Sequence, residues 1–320
     1  MKKVSVIMSV YNEPELLIVE SVNSILSQTY EEFELIIIAD DPNNQSAINV
    51  IKTIAKKDDR VSLYINEKNM GLPKSLNRAL LYAKGDYIAR MDADDIALPE
   101  RLEKEVQILE ELNLDLVATG IIRIDMDGNV IGKDSICYST KNVLRLLKHT
   151  DILPHPTWLA KKELYDALNG YRDFYSCEDY DFLLRAKRIN ARLGMVPYLL
   201  LKYRSNNKGI SQSNAFRQAL ATNYLSKNYK HIFKITSKDL SEYIEKNMTQ
   251  ENIGVYSRHS EKLIRIARKS RINVSDILVI LISLISCKYI FYNYKQIFLK
   301  KLYSFRGNQR MNEMISNKGI

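Results

Sequence analysis

Continuous apolar runs and amphipathic stretches alternate along the first hundred residues. Val4 to Val10 is rich in β-branched residues and leads through Tyr11-Asn12-Glu13-Pro14 into a helical pattern at Leu16, Val19, Val22, Ile25 and Leu26. Phe33 to Ala39 is a second apolar run that stops at Asp40-Asp41-Pro42-Asn43, and Ile48, Ile51, Ile54 and Ala55 mark a second helix. Val61 to Ile65 reads as a third strand, Leu72 to Ala83 as a helix with Pro73 in its first turn, and Tyr87 to Met91 as a fourth strand stopping at Asp92. Strands apolar at every position are covered on both faces, as in parallel sheets. The alternation predicts an α/β fold, a Rossmann-like, doubly wound, mostly parallel sheet with right-handed crossovers.

Beyond Pro99 the pattern becomes mixed. Arg101 to Leu112 reads as an amphipathic helix, and Leu116 to Ile124 with Val130-Ile131 as a hairpin turned at Asp127-Gly128-Asn129. Val143 to Leu147 and Asp179 to Ile189 look helical, Thr157 to Ala160 extended, and Val196 to Tyr203 like a closing strand. From about Ser211 the chain is helical and basic. Residues 1–210 therefore read as one α/β domain, and 211–320 as a basic helical extension.

In open α/β sheets ligands bind outside the carboxyl ends of the strands. Asp40 and Asp41 end the second strand; Asp92, Asp94 and Asp95 end the fourth, so both acidic groups face one rim. Two like charges about 4 Å apart repel by roughly 4 kcal/mol at an effective dielectric of about 20, so such a cluster invites a cation or a raised pKa. Oxygen-only donors favour magnesium or manganese over zinc, with phosphate oxygens completing the shell. Helix capping by Asp94 or Asp95 would use only one of the three acids. Neither GxGxxG nor GxxxxGK[ST] follows the first strand, which excludes dinucleotide and P-loop chemistry of those kinds. Cys137, Cys177 and Cys287 stand far apart, without zinc or disulfide-framework spacing, and fit a reducing cytoplasm. The first residues enter a strand at once, without the pattern of a secretory signal.

Charge divides the chain unevenly. Residues 1–200 hold 25 Lys+Arg against 31 Asp+Glu, whereas residues 201–320 hold 22 against 7, giving −6 and +15. A tail this basic meets an anionic partner, nucleic acid or a phospholipid surface. Five aspartates on one rim would repel nucleic-acid phosphates, so no nucleic acid is expected there. Ile277 to Cys287 is apolar apart from Ser283 and Ser286, with Lys288 and Tyr289-Ile290-Phe291-Tyr292 beyond. It is shorter than the roughly 20 residues a spanning helix needs. Arg265, Arg268, Lys269 and Arg271 before it, and Lys295, Lys300, Lys301 and Arg306 after it, favour docking on an anionic membrane surface. Packing of the run into a core is the competing reading.

Several segments, in order, carry a family likeness: Val4-Ser5-Val6-Ile7-Met8-Ser9-Val10-Tyr11-Asn12-Glu13, Ile37-Ile38-Ala39-Asp40-Asp41-Pro42, Asn66-Glu67-Lys68-Asn69-Met70-Gly71-Leu72 and Ala83 to Asp95. Pro99-Glu100-Arg101-Leu102 and Cys177-Glu178-Asp179-Tyr180-Asp181 complete the set. Together they resemble family 2 glycosyltransferases of the GT-A fold, most of all the amylovoran-biosynthesis-like branch of bacterial capsule, exopolysaccharide and O-antigen enzymes. The resemblance implies a small mixed sheet beside the parallel one and an inverting transfer from a UDP-sugar to a hydroxyl of a saccharide acceptor on a lipid carrier. It also implies a cytoplasmic protein, peripheral on the inner face of the cell membrane.

Carried onto this chain, the resemblance places Ser9, Tyr11 and Glu13 around the nucleotide, with Tyr11 against the base. Asp40, with Asp41 beside it, meets the uracil edge. Asp92 and Asp94 form the DxD element, Asp92 toward the ribose and Asp94 on Mn2+ or Mg2+. Gly71 admits the nucleotide close to the backbone, and Lys74 or Arg78 faces phosphate. Asp179 becomes the base, Glu178 and Asp181 shape the acceptor site, and His155 lies near the donor sugar. Trp158 reads as core. The Q-x-x-R-W element of processive synthases is missing, which implies one sugar per acceptor. A catalytically inactive relative, or nucleic-acid binding by the tail, are the alternatives.

Overall fold

The computed structural model describes residues 2–135, 138–174, 176–205, 215–267 and 273–286. Cys137, Cys287, Arg268, Lys269, Arg271, and everything from Lys288 through Tyr292, Lys295, Lys300, Lys301 and Arg306 onward lie outside the described residues. Strands β1 (Val4–Val10), β2 (Phe33–Ala39), β3 (Val61–Ile65) and β4 (Tyr87–Asp92) pair in parallel in the order β3-β2-β1-β4. Helices α1 (Glu15–Leu26), α2 (Gln45–Ala55) and α3 (Leu72–Tyr82) connect them.

Side chains alternate across a strand, so a continuous apolar strand feeds two cores. Ile7, Ile36, Ile38 and Ile88 pack with Leu76 and Ala79 of α3 on one face. Val6, Met8, Leu35, Ile37 and Met91 pack with Ile18 and Val22 of α1 and Ile51 of α2 on the other. Each such side chain contributes about 1.5–3 kcal/mol by leaving water. Asn44 caps α2 by accepting from the Ala47 N–H at 3.1 Å. The core face of α1 differs from the pattern read above: Leu17, Ile18, Ser21, Val22 and Ile25 are buried, while Leu16 is 68% exposed. The adjacent pair Leu17-Ile18 rotates the buried stripe away from Leu16.

Past β4 the sheet continues with mixed polarity. β4 pairs antiparallel with β8 (Leu159–Lys161), β8 with β6 (Leu116–Ile124), and β6 lies parallel to β9 (Leu193–Arg204). The two-residue β5 (Ile96–Ala97) edges β9, and β7 (Val130–Asp134) hairpins onto β6. Among the described residues the mixed strands thus extend the parallel ones as a single nine-stranded sheet. Thr157 is not extended; it ends a 3-10 turn over His155–Thr157, closed by its hydroxyl donating to the Pro154 carbonyl at 2.8 Å. Helices α4 (Arg101–Glu111), α5 (Thr140–Leu146), α6 (Lys162–Ala167) and α7 (Glu178–Arg188) complete this part.

Four further helices follow: α8 (Ala215–Lys227), α9 (Ser237–Asn247), α10 (Gln250–Ala267) and α11 (Val274–Ser286). A capping box between Thr236 and Asp239 starts α9. Phe216, Leu220, Leu225, Ile232, Leu240 and Ile244 join the same core as Trp158, Tyr165 and Phe182, so the helices begin a segment of sequence rather than a separate core. In α11, Ser283 is buried and hydrogen-bonded to His259 Nδ1 at 2.9 Å, whereas Ile277, Leu278, Leu281 and Ile282 are each at least half exposed. No helix among the described residues is long and apolar enough to cross a membrane.

Candidate active site

From β1 the chain runs outward to β2 and β3, then returns across β1 to form β4. The order therefore reverses between β1 and β4, which opens a crevice at their carboxyl ends. Register sets the rim: Ser9 stands opposite Asp92, and Val10 opposite Ala39, the residue before Asp40. Tyr11 is 43% exposed at the mouth. Its N–H donates to Glu13 Oε2 at 2.7 Å, and its carbonyl accepts from Asn44 Nδ2 at 3.0 Å.

Asp40 is buried and works on the protein itself. Its Oδ1 accepts from Asn66 Nδ2 at 2.6 Å and from the Met70 N–H at 2.8 Å; its Oδ2 accepts from the Gly71 N–H at 2.9 Å. Gly71 has φ +84°, a conformation that favours glycine, and a Cβ there would meet nothing within 4 Å among the described residues. Arg78 supports the same loop, donating to Ile65 O at 2.7 Å and to Asn66 Oδ1 at 2.5 Å. Asp41 is half-buried, with Oδ1 accepting from the Asn43 N–H at 2.9 Å. Lys74 pairs with Asp173 at 2.8 Å across exposed surface. Lys74 and Arg78 line an open cleft of about 720 Å³ with Met70, Lys162 and Tyr165, and none of the rim acids shares that lining. Lys74, held by the Asp173 carboxylate, and Arg78, held by a carbonyl and an amide oxygen, are the two cations expected to face phosphate.

The acids after β4 crowd one another. Removal from water, then the charges of Asp92 and Glu13, push the Asp94 carboxyl up to about 7. Burial raises Glu13 too, with Asp92 adding to it. Asp95 is fully buried and raised by burial, then by Asp92 and Asp94; its Oδ1 accepts from the Arg204 N–H at 2.8 Å, while its Oδ2 has no hydrogen-bond partner among the described residues. Arg204, at the end of β9, also donates to the Asp94 carbonyl at 2.8 Å and pairs with Glu20. Oxygen donors that crowd one another in this way fit a hard divalent cation. Among the described residues no three acids, histidines or cysteines converge as a metal cage. Asp92 and Asp94 would supply two carboxylates, leaving positions for substrate oxygens and water.

Arg90 lies beneath this cluster, 1% exposed, donating to Asp92 Oδ1 and to the Met91 carbonyl. Among the described residues its Nε has no hydrogen-bond partner. Arg101, paired with the equally buried Glu105 at 3.1 Å, braces it by donating to the Arg90 carbonyl at 2.7 Å. The Arg90 charge acts on Glu13, Asp92 and Asp95 on one side and on His155, Glu178 and Asp179 on the other. A lone arginine inside an otherwise apolar strand was the sequence signal for it.

On the second side, burial and then Asp179 push the Glu178 carboxyl up to about 8. Asp179 is half-buried and raised by loss of water; the Tyr180 N–H, 2.6 Å from its Oδ1, and the carboxyl of Asp151 act in the opposite sense. His155 is buried against Trp158, ring centroids 4.5 Å apart, with Nε2 2.8 Å from the Tyr171 hydroxyl. Burial, then the Arg90 charge, hold it well below the usual histidine range, so it is neutral and part of the packing. Asp181 departs from the expected acceptor role: it is fully buried and bound to Arg172 and to Arg185 Nε, the latter at 2.8 Å. Asp151 and Arg204 carried no sequence signal, since each acts through contacts made across the fold.

Comparison with known proteins places this geometry. Residues 5–168 match the family described as Glycosyl transferase family 2. An uncharacterized glycosyltransferase of Methanocaldococcus jannaschii, MJ1057, is 36% identical over 228 residues, covering 71% of this chain and 79% of the relative. The O-antigen biosynthesis glycosyltransferase WbnJ of Escherichia coli is 36% identical over 213 residues, 66% of this chain and 82% of the relative. S. aureus TarS 1–349 in complex with UDP-GlcNAc has TM-score 0.59 at 18% identity, over 94% of this chain and 90% of that one. The mannosyltransferase PcManGT of Pyrobaculum calidifontis, in complex with GDP-Man and Mn2+, has TM-score 0.58 at 18% identity, over 93% and 85%. Those two structures share the fold. The chain belongs to glycosyl transferase family 2 and has the GT-A fold.

Proposed function

We propose that the protein moves a sugar from a UDP-sugar to a hydroxyl of a lipid-linked saccharide, with inversion at the anomeric carbon, during surface polysaccharide synthesis. The carrying observation is that buried Arg90, beside the strand-order reversal, is bonded to Asp92 and also interacts with the Glu178–Asp179 pair. Tyr11 offers its exposed ring to a base, and the loop held by Asp40 shapes the nucleotide's other edge. Asp92 and Asp94 would hold Mn2+ or Mg2+, whose charge stabilises the leaving diphosphate. Asp179 accepts the acceptor's proton as the hydroxyl attacks from the opposite side. TarS with UDP-GlcNAc and PcManGT with GDP-Man and Mn2+ support a nucleotide-sugar donor and a metal; WbnJ supports a saccharide acceptor.

The test is thermal denaturation of the full chain with UDP- and GDP-sugars, in manganese or in EDTA. A UDP-sugar should stabilise by about 2.7 kcal/mol at a hundred times its Kd, and only with metal present. Stabilisation by GDP-sugars alone, or an undiminished shift in EDTA, would overturn the donor or the metal reading. The exposed apolar face of α11 and the basic tail support attachment to the inner membrane surface. Leu278→Ser with Leu281→Ser should weaken binding of the full chain to phosphatidylglycerol vesicles, as should high salt. A parent protein that ignores those vesicles at low salt rejects the attachment.

A further inference from the structure

β9 ends on Arg204, a cation whose side chain is only 2% exposed. Its guanidinium donates to three segments at once. Nε donates to the Asp94 carbonyl at 2.8 Å, Nη1 to the carbonyls of Asp125 and Met126 in the β6–β7 turn at 3.2 and 2.9 Å, and Nη2 to Glu20 Oε2 of α1 at 2.8 Å. Its main-chain N–H donates to Asp95 Oδ1 at 2.8 Å. The ends of the acid turn are fixed separately: the Ser21 hydroxyl of α1 donates to Asp92 O at 2.8 Å, and past the turn the Leu98 N–H donates to Leu200 O of β9 at 2.9 Å, beside the β5–β9 pairing. Arg204 holds the middle. A held carbonyl fixes the plane of its peptide, and with it the Cα from which the Asp94 carboxylate projects. A planar guanidinium can serve three segments in fixed directions, whereas the single nitrogen of a lysine cannot.

We propose that Arg204 is the positioning residue of the metal acids: donation from Nε to the Asp94 carbonyl aims the Asp94 carboxylate into the crevice, and the Nη contacts brace that bond against the β6–β7 turn and α1. The proposal rests on Asp94 holding the divalent cation. Arg204 acts through the main chain of the turn, and its pairing with Glu20 offsets a positive charge that would otherwise oppose a cation nearby. In an unbraced turn the Asp92 and Asp94 carboxylates, which repel, would swing apart. Binding a cation would then include the cost of bringing them together, which a turn held in advance avoids. Nothing local in the sequence reveals the link, since Arg204 stands 110 residues beyond Asp94.

The experiment is calorimetric titration of the full chain with UDP, in EDTA and at a series of manganese concentrations. Arg204→Met and Arg204→Gln lose the Nη contacts alike, and only Arg204→Gln keeps a nitrogen at the Nε position. Arg204→Met should raise the manganese concentration needed for half of the metal-dependent gain in UDP affinity by about 10–100-fold, as loss of a support behind a metal ligand does. Arg204→Gln should recover about 2–10-fold of that, the worth of one hydrogen bond. UDP affinity in EDTA should stay within about twofold of the parent in both variants, because the turn then has no cation to hold. A merely structural residue would instead lower the melting temperature without separating the two variants. Parent-like manganese dependence in Arg204→Met, or equal dependence in the two variants, overturns the proposal; should Arg204→Met not fold, Arg204→Lys, which keeps a charge for Glu20 but has carbon at the Nε position, takes its place. Asp94→Asn judges the metal reading separately: undiminished manganese dependence there removes that reading, whereas its loss in Asp94→Asn beside a parent-like Arg204→Met removes only this one.

Discussion

The two sides of the crevice are built from different kinds of chain. On the β1–β4 side, Asp40 and Asp92 sit at the ends of parallel strands, and the register that pairs Ser9 with Asp92 fixes them in space. On the α7 side, Glu178, Asp179 and Asp181 open one helix, within four residues, yet end in three different environments. Glu178 is pushed up to about 8, Asp179 meets Asp151, and Asp181 is held by Arg172 and Arg185. At a strand end the neighbours come with the sheet. At a helix start they come from elsewhere in the chain, and residue type alone does not say which acid stays available.

The sharpest break in this comparison is at Asp94. Asp94→Asn should abolish most transfer and the manganese-dependent part of donor binding, because it removes one of two proposed metal oxygens. It should not lower the melting temperature of the free protein, since it relieves crowding with Asp92 and Glu13. Calorimetric titration of manganese and donor, beside the transfer rate, measures both. Full activity would show that the crowded acids serve another purpose.

Asp179→Asn should have the next largest effect. It keeps the shape of the carboxyl but not its proton affinity, so transfer should slow by about 10²–10⁴-fold while donor affinity stays near the parent's. A defect confined to donor affinity would place Asp179 with the β1–β4 acids and erase the division between the two sides. Glu178 would then be the next candidate for the base.

The same division marks what was legible beforehand. β2 and β3 have the bounds their apolar runs predict; β2 is almost wholly buried, and β3 pairs with it along its length. β5 escaped notice because two residues carry no periodicity; it exists through pairing with Lys202 and Leu201 of β9. α6 is too short for a helical pattern to stand out. Among the site residues, the acids at the rim were visible as a cluster. Asp40 was expected to face a ligand, yet the Met70 and Gly71 N–H groups that engage it belong to a loop whose path no local pattern reveals. Arg90 drew no attention in the sequence, although it is a charge within an apolar strand, because its interactions with both acidic groups are made across the fold.

Asp181 gives the smallest expected change in transfer and the clearest test of how residues at one helix start diverge. Arg185, 2% exposed, donates to Asp181 and to the carbonyls of Leu168 and Gly170; Arg172 donates to Asp181 and to the carbonyls of Ile232 and Ile235. One carboxylate thus ties α7 to the turn before it and to the segment that leads into α9. Asp181→Asn leaves two guanidinium groups facing a neutral amide in a buried place, which should cost about 3–5 kcal/mol. Urea unfolding should show that loss, while transfer per folded molecule and acceptor KM stay within about twofold of the parent. A stable variant with a raised acceptor KM would return Asp181 to the acceptor site, where the sequence-based reading puts it beside Glu178.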